Sequence, residues 1–492
     1  MTLARSPCLV RPLAAVLPAA LVAALASGCA VGPEHRVPDV EQPTAFATQA
    51  ASFTSADPAE QWWRALNDPL LDSLVAEALA GNLGLTRAGA RVREARAARN
   101  AEAGAAAPQF DASGKVSRDS ISLNGENLAN LPPGFTPRRS FTDYRVGFDA
   151  SWELDFFGRT RRAVEAADAR TDSAREAQRD AALTVAAEVV RTYVDHRLDR
   201  VRIEVARRSA DAFANTSQLV LRQRNAGLAA DLDVQRAESD AASARAAIEP
   251  LEAESRVALY RLGVLTGKPP AALAAWIAAR QTAQFEGDAS LPPLPDAIAI
   301  GLPSDLVRRR PDIRRAEREL AAATADVGVV TADRFPRFAL VGSLGLESIR
   351  PGQLVDQASR FFTVGPQLLV PIFSGGRLAS RVEAREAARD AAIADYRKAV
   401  LEAFADVESA LIRYDRERAR AADLDTAEKK LEGTLALTRI RYRAGDTTLI
   451  DVLDVERRAI QARDASAQSQ GQLATQWIAL HKALGGGWEG AR

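Results

Sequence analysis

Most of this sequence is written twice. Residues Gly158 to Glu238 align without gaps onto Gly376 to Glu456, at a constant offset of 218 positions. The agreement is closest where Asn225-Ala226-Gly227-Leu228-Ala229-Ala230-Asp231-Leu232-Asp233-Val234 lies over Arg443-Ala444-Gly445-Asp446-Thr447-Thr448-Leu449-Ile450-Asp451-Val452, with Ala-Gly and Asp-Val at the same places in both. A repeat of this length is a duplicated structural unit rather than a local motif. Upstream, Pro108-Gln109-Phe110 and Pro336-Arg337-Phe338 open alternating segments in each copy, at a slightly larger offset that a longer loop in the first copy produces. Each copy therefore contains two short alternating segments, a very long helical run, a tight turn and a return helix.

The long runs constrain the fold most. Between Thr160 and Asn225 there is neither Gly nor Pro, and Ala, Arg and Glu, all strong helix formers, dominate. At ~1.5 Å per residue such a helix is on the order of 100 Å long. Its equivalent, Leu378 to Arg443, is interrupted only by Gly433, and within it Val400, Phe404, Val407, Leu411 and Tyr414 recur at the spacing of a coiled-coil seam. Helices this long must lie against neighbours along their length. Return helices from Asp231 to Leu262 and from Thr448 to Leu484 are expected to pair with one half, and Leu70 to Ala103 and Pro311 to Asp333 with the other. Gly267 to Pro303, rich in Pro and small residues, is expected to form an irregular belt. Ser304 is expected to cap a short helix from Asp305 to Arg309, and Pro311 to open the next.

The alternating segments are strands. Tyr144 to Leu154 places Tyr144, Val146, Phe148, Ala150, Trp152 and Leu154 on one face and Arg145, Gly147, Asp149, Ser151 and Glu153 on the other. Phe110 to Ser117 alternates likewise, as does Phe338 to Leu346, and Phe362 to Ile372 carries the stripe of a fourth strand. Loop Arg118 to Thr142, with Asn124-Gly125 and Pro132-Pro133-Gly134, would join the first pair, and Glu347 to Arg360 the second. About 9 to 11 residues suit a tilted membrane-crossing strand, although soluble hairpins fit the alternation equally well. If these strands cross a bilayer, four cannot close a barrel and an open edge cannot face lipid, so the chain must oligomerise. Three copies would supply twelve strands.

The N-terminus has the form of an export signal. Arg5 and Arg11 precede an apolar core from Leu13 to Ala26, then Ser27-Gly28 and Cys29. This pattern is similar to a bacterial lipoprotein signal, with Ala26 in place of the usual Leu three residues before the Cys. Such signals are removed so that the Cys becomes an acylated N-terminus. Cys8 lies within the signal, so the mature chain has no second sulfur for a disulfide. No later apolar run is long enough for a membrane-spanning helix. The charges balance at 64 basic and 64 acidic residues, which gives no global attraction to nucleic acid. His35, His196 and His481 are widely separated, and no Cys cluster, phosphate loop or nucleophile motif accompanies them, so catalysis is not expected. His196 is expected to be a surface or seam residue of the long helix.

These features resemble the TolC-like outer-membrane efflux channels, in particular their lipoprotein branch of the NodT and OprM type. The resemblance rests on Cys29-Ala-Val-Gly-Pro33, Trp62-Trp63, Asn67-Asp68-Pro69-Leu70, Trp152-Glu-Leu-Asp155 with Phe157-Gly158-Arg159, and Leu302-Pro-Ser-Asp305 through Arg309-Arg-Pro-Asp-Ile313. It continues in Arg334-Phe335-Pro336, Pro371-Ile-Phe373 with Gly375-Gly-Arg377, Arg441-Tyr-Arg-Ala-Gly445 and Gly485-Gly-Gly-Trp488. The order spans essentially the whole mature chain. It implies a mainly α protomer with transmembrane β-strands, internally duplicated: 1–28 signal peptide, 29–266 first repeat, 267–303 linker, 304–488 second repeat, 489–492 tail. A homotrimer would form a twelve-stranded β-barrel in the outer membrane of a Gram-negative bacterium, continuing into a twelve-helix coiled-coil tunnel through the periplasm.

The same resemblance implies a passive exit duct for drugs or other small molecules, partnered by a periplasmic adaptor and an inner-membrane pump of the resistance-nodulation-division (RND) type. No cofactor is implied beyond lipid on Cys29. Protein secretion of the type I kind, or a lipid-anchored scaffold, are the competing readings. Asp451 and Asp454, three residues apart at the start of a return helix and so near one face, correspond to the family's constriction aspartates. Burial of such a ring would raise their pKa values. Tyr442 corresponds to a tyrosine that hydrogen-bonds an acidic residue on the other turn, here Asp233. Thr447 stands where the best-known channel has a gate arginine, and Leu232 replaces a polar residue opposite. The turns Ala226-Gly227 and Arg443-Ala444-Gly445 correspond to the adaptor-docking tips.

Overall fold

The computed structural model describes residues 30–120, 122, 140–280 and 290–488. The signal with Cys29, most of the first hairpin's outer loop, part of the linker and the tail 489–492 lie outside the described residues. Helices α1 (Pro69–Gly81) and α2 (Leu83–Gly104) lead into strands β1 (Gln109–Ser120) and β2 (Ser140–Leu154), then α3 (Arg159–Asn225), α4 (Asp231–Ala246) and α5 (Ile248–Thr266). After α6 (Pro270–Ala278) the order returns with α7 (Pro303–Arg309), α8 (Pro311–Ala332), β3 (Arg337–Ser348), β4 (Arg360–Leu369), α9 (Arg377–Ala444) and α10 (Leu449–Ala483). Helices α3 and α9 run for 67 and 68 residues, unbroken even at Gly433. Two compact units divide the described residues: those within 30–37, 93–172 and 318–394 form one, and those within 38–92, 173–317 and 395–488 the other.

The first unit holds a four-stranded antiparallel sheet in the order β1-β2-β3-β4. Its register puts Ala112 opposite Phe148, Phe148 opposite Leu344 and Leu344 opposite Phe362. Period-two alternation therefore gathers one apolar face. That face is not a core, because Phe110 is 75%, Leu344 59% and Phe362 81% exposed. The other face is polar: Arg145 approaches Glu347 at 3.7 Å, and Ser113 donates to Asp149 at 2.8 Å. In the single chain β1 and β4 are unpaired edges. Below the sheet, Arg159 and Arg337 converge on Asp333, and Arg170 pairs with Asp326. The N-terminal strap is held here too: Val31 N–H donates to the Phe157 carbonyl at 3.2 Å, and a Cβ on Gly158 would sit 2.7 Å from Ala30 Cβ.

The second unit contains the main hydrophobic core, built from α1, α3, α5, α6, α9, α10 and the chain around Trp62. Trp62 stacks on His481 at 5.1 Å and meets Trp477 edge-on at 5.3 Å, while its indole N–H donates to the Gly486 carbonyl. Asp68 caps α1 through the Leu70 and Leu71 amides and accepts the Tyr193 hydroxyl at 2.5 Å. Of the expected seam, Val400, Val407, Leu411 and Tyr414 are buried and Phe404 packs against the core. His196 is a seam residue, with its Nδ1 3.0 Å from Ser255 Oγ, and burial lowers its pKa to about 4.

Several boundaries differ from expectation. The first return helix is divided at Ala247, because Pro250 has no N–H for the Ala246 carbonyl. The lead-in helix is divided at Asn82, whose side chain accepts from Leu85 N–H and donates to the Leu265 carbonyl. The linker is partly helical: Pro270 opens α6, and Leu273 and Ile277 bury themselves. Leu302, not Ser304, is the residue before α7, with its N–H satisfied by Asp305. Strand β4 ends at Leu369, since its partner β3 begins opposite at Arg337; Val370 and Ile372 lie beyond the ladder.

Candidate functional site

The duplicated turns close α3 and α9 with the same backbone bonds. Leu228 N–H reaches the Gln223 carbonyl at 2.8 Å, and Asp446 N–H the Arg441 carbonyl at 2.9 Å, again 218 positions apart. This closure places the residue after the helix in the left-handed region, and Gly227 (φ +76°) and Gly445 (φ +85°) occupy it. A Cβ at either would meet nothing within 4 Å. Both glycines are thus required by backbone conformation and not by space. Leu228 and Leu232 beside the first turn, and Ile450 beside the second, are 79%, 58% and 60% exposed.

The two turns differ in their polar ties. At the first, Arg224 spans the loop to Asp231 at 2.7 Å, and Asp233 accepts the Ala230 N–H at 3.3 Å. Ala230 has no side-chain acceptor to reciprocate. At the second, Thr448 completes a full capping box: its hydroxyl accepts Asp451 N–H at 3.3 Å, and Asp451 accepts Thr448 N–H at 2.9 Å. The Thr448 and Thr447 hydroxyls add bonds of 2.6 and 2.8 Å to the same carboxylate oxygen. These donors, Thr448 first, hold the exposed Asp451 carboxyl down at about 2. In the chain by itself Asp451 is not buried, so the rise expected for a closed ring is absent. Asp454 follows one turn later and pairs with Arg458 at 2.9 Å.

Tyr442 does not reach Asp233. Its hydroxyl accepts from the Gln223 side-chain amide at 3.0 Å, while Asp233 accepts the Ala230 N–H at the start of its own helix. Gln223 escaped the sequence reading, since pairing between the copies leaves no trace in an alignment of one copy on the other. Thr448 was detectable, as a Thr three residues before an acid at a helix start. Further ties also went unread: Arg439 holds Glu456, whose side chain is 3% exposed, at 2.6 Å, and Arg457 holds Asp240 at 2.8 Å. Ala226, Arg443 and Ala444 lie at the turns as expected, and Cys29 lies outside the described residues. Among the described residues there is no metal-binding cluster and no helix apolar enough to cross a membrane.

Comparison with known proteins fits this geometry. The sequence profile described as outer membrane efflux protein matches residues 74–268 and again 302–486. Nodulation protein T of Rhizobium leguminosarum bv. viciae is 31% identical over 482 residues, covering 96% of this chain and 93% of that protein. The pyoverdine export outer membrane protein OpmQ of Pseudomonas aeruginosa is 32% identical, covering 95% and 96%. Among solved structures, the outer-membrane channel OprN superposes with a TM-score of 0.81 at 35% identity, over 94% of this chain and all of that one. The open state of the Neisseria gonorrhoeae MtrE outer membrane channel gives 0.75 at 27% identity, over 94% and 99%.

Proposed function

Because the chain belongs to the outer membrane efflux protein family, and so is an outer-membrane efflux channel, we propose that it is the exit duct of a tripartite system, a homotrimer conducting small molecules passively to the outside. The observation that carries this reading is the sheet: four strands, an exposed apolar face, a polar face and two unpaired edges. An edge of open backbone groups is untenable in lipid, and closure on neighbouring copies removes it. Three copies make twelve strands around a polar lumen and twelve helical segments beneath. Lipid on Cys29 would anchor the chain in this reading.

The gate in this reading is the pair of turns. Rings of Asp451 and Asp454 around a three-fold axis repel one another, so a closed tip needs cations or bridging donors. The exposed leucines and the backbone of Ala226-Gly227 and Arg443-Ala444-Gly445 form the surface for a periplasmic adaptor, which opens the tip together with an RND-type pump. The export named for OpmQ supports a small-molecule cargo over a protein. Detergent-extracted protein is expected to migrate as a heat-dissociable trimer and to conduct ions in planar bilayers. Asp451→Ala with Asp454→Ala is expected to raise conductance and weaken block by multivalent cations. A folded single subunit that never conducts overturns the reading, and unchanged block removes these carboxylates from the gate.

A further inference from the structure

The second copy's return helix is continuous, whereas the first copy's breaks at Ala247. At the offset of the repeat, the positions matching Ala247 and Pro250 are Ala465 and Gln468, and Gln468 keeps the backbone N–H that Pro250 lacks. The two return helices thus depart from the symmetry of the repeat at this point. Here the departure borders a cavity of ≈ 640 Å³ between α3, the α4–α5 junction and α10.

Val205, Phe213, Ala244, Leu251 and Ile460 contribute apolar walls. Two ion pairs join the first copy to the second at its margin: Arg202 to Asp464 through two bonds of 2.7 and 3.2 Å, and Arg457 to Asp240 at 2.8 Å. With those four charges matched, Asp199 and Glu254 remain on the lining. Neither has an ion-pair partner among the described residues. The cavity thus combines apolar surface, an aromatic ring and unmatched negative charge, and its volume lies within the ~300–1,000 Å³ of small-molecule sites.

We propose that this cavity binds a lipophilic organic cation, held by Asp199 and Glu254 as counter-charges and by contact with Phe213. An aromatic face attracts a cation most strongly when both are shielded from water. Burial pushes the Asp199 carboxyl up to about 6, with Arg202 opposing the rise and Asp195 and Glu254 adding to it, so a bound cation would supply compensation that Arg202, already paired with Asp464, gives only in part. Since the walls belong to both copies, an occupant would lie between the elements that carry the two turns.

The test is equilibrium dialysis of tetraphenylphosphonium against the full-length protein in detergent, with neutral triphenylphosphine oxide as comparison. Saturable binding is expected for the cation, with weaker binding of the neutral compound. Asp199→Asn with Glu254→Gln, which preserves shape, is expected to weaken cation binding about tenfold, and Ala244→Trp to abolish it by filling the space. No saturable binding to the unaltered protein overturns the proposal. Binding left unchanged by both variants also overturns it, by assigning the cation to detergent or to the duct. The measurement does not require conduction, so its failure is distinct from failure of the channel reading.

Discussion

Replacing Tyr442 by Phe removes one hydroxyl and, with it, the 3.0 Å bond to Gln223 that links α9 to α3 beside the two turns. A hydrogen bond of this kind contributes about 1 kcal/mol net, because water competes for both partners. In a three-fold tip the same tie is made three times. If the ties release together, the closed state loses about 3 kcal/mol, which at ~1.4 kcal/mol per tenfold shifts the closed-to-open ratio roughly a hundredfold. Open probability in planar bilayers reads this directly. Gln223→Leu removes the same bond from the other side and is expected to match it. The double variant is expected to add little more, since interacting partners are not additive. The nearby Arg457–Asp240 and Arg439–Glu456 pairs remain in every variant and keep the helices packed, so thermal stability is expected to change little. If both single variants gate within about twofold of the unaltered protein, or if the double variant sums the singles, the Tyr442–Gln223 bond is not a gate tie.

The share of stability held by the two buried histidines is expected to be lost as pH falls below 6.5, opposed by Asp199, whose raised pKa adds stability as pH falls through about 6. His196 and His481 are buried with pKa values lowered to about 4 and about 3, desolvation being the main cause. A group depressed in the folded state is protonated first in the unfolded chain, so its contribution is present above pH 6.5 and fades toward pH 4. Each histidine accounts for about 2 kcal/mol between pH 7 and pH 5, and His481→Phe should flatten the urea-midpoint profile by one such share; an unchanged profile refutes the assignment. Arg310→Leu should destabilise by about 2 kcal/mol, because Arg310 bonds Asp312 twice, Asp406 and the Ala483 carbonyl. Urea unfolding checks this, and adding Asp312→Leu should recover part of the loss. Gly445→Ala should cost about 1 kcal/mol at its left-handed turn, while Gly433→Ala, inside α9, should stabilise by up to about 1 kcal/mol; equal melting shifts would refute the distinction.

The long helices were legible because α3 and α9 contain almost no residue that opposes a helix, and the strands because their alternation runs over eight or more residues. Both signals are local, and local signals survive in a linear string. The helix breaks at Asn82 and Ala247 were weaker. Pro250 was visible, but Asn82 breaks its helix through a bond to Leu265, far away in sequence. The polar ties around the turns divide in the same way. The Thr448–Asp451 box joins positions three apart and could be read directly, whereas Gln223–Tyr442 and Arg457–Asp240 join positions more than two hundred apart.

By itself the sequence determined that two equivalent units exist, where each turns, and which residues must adopt a left-handed backbone to make the turn, because repetition, helix propensity and glycine's missing Cβ are properties of the chain. Only the tertiary structure decided which donor Tyr442 meets, that the apolar stripes of four strands merge into one exposed face, and that one return helix bends around a cavity while its twin runs straight. Those outcomes depend on distances between residues remote in the chain, where several polar groups compete for one partner and geometry selects among them.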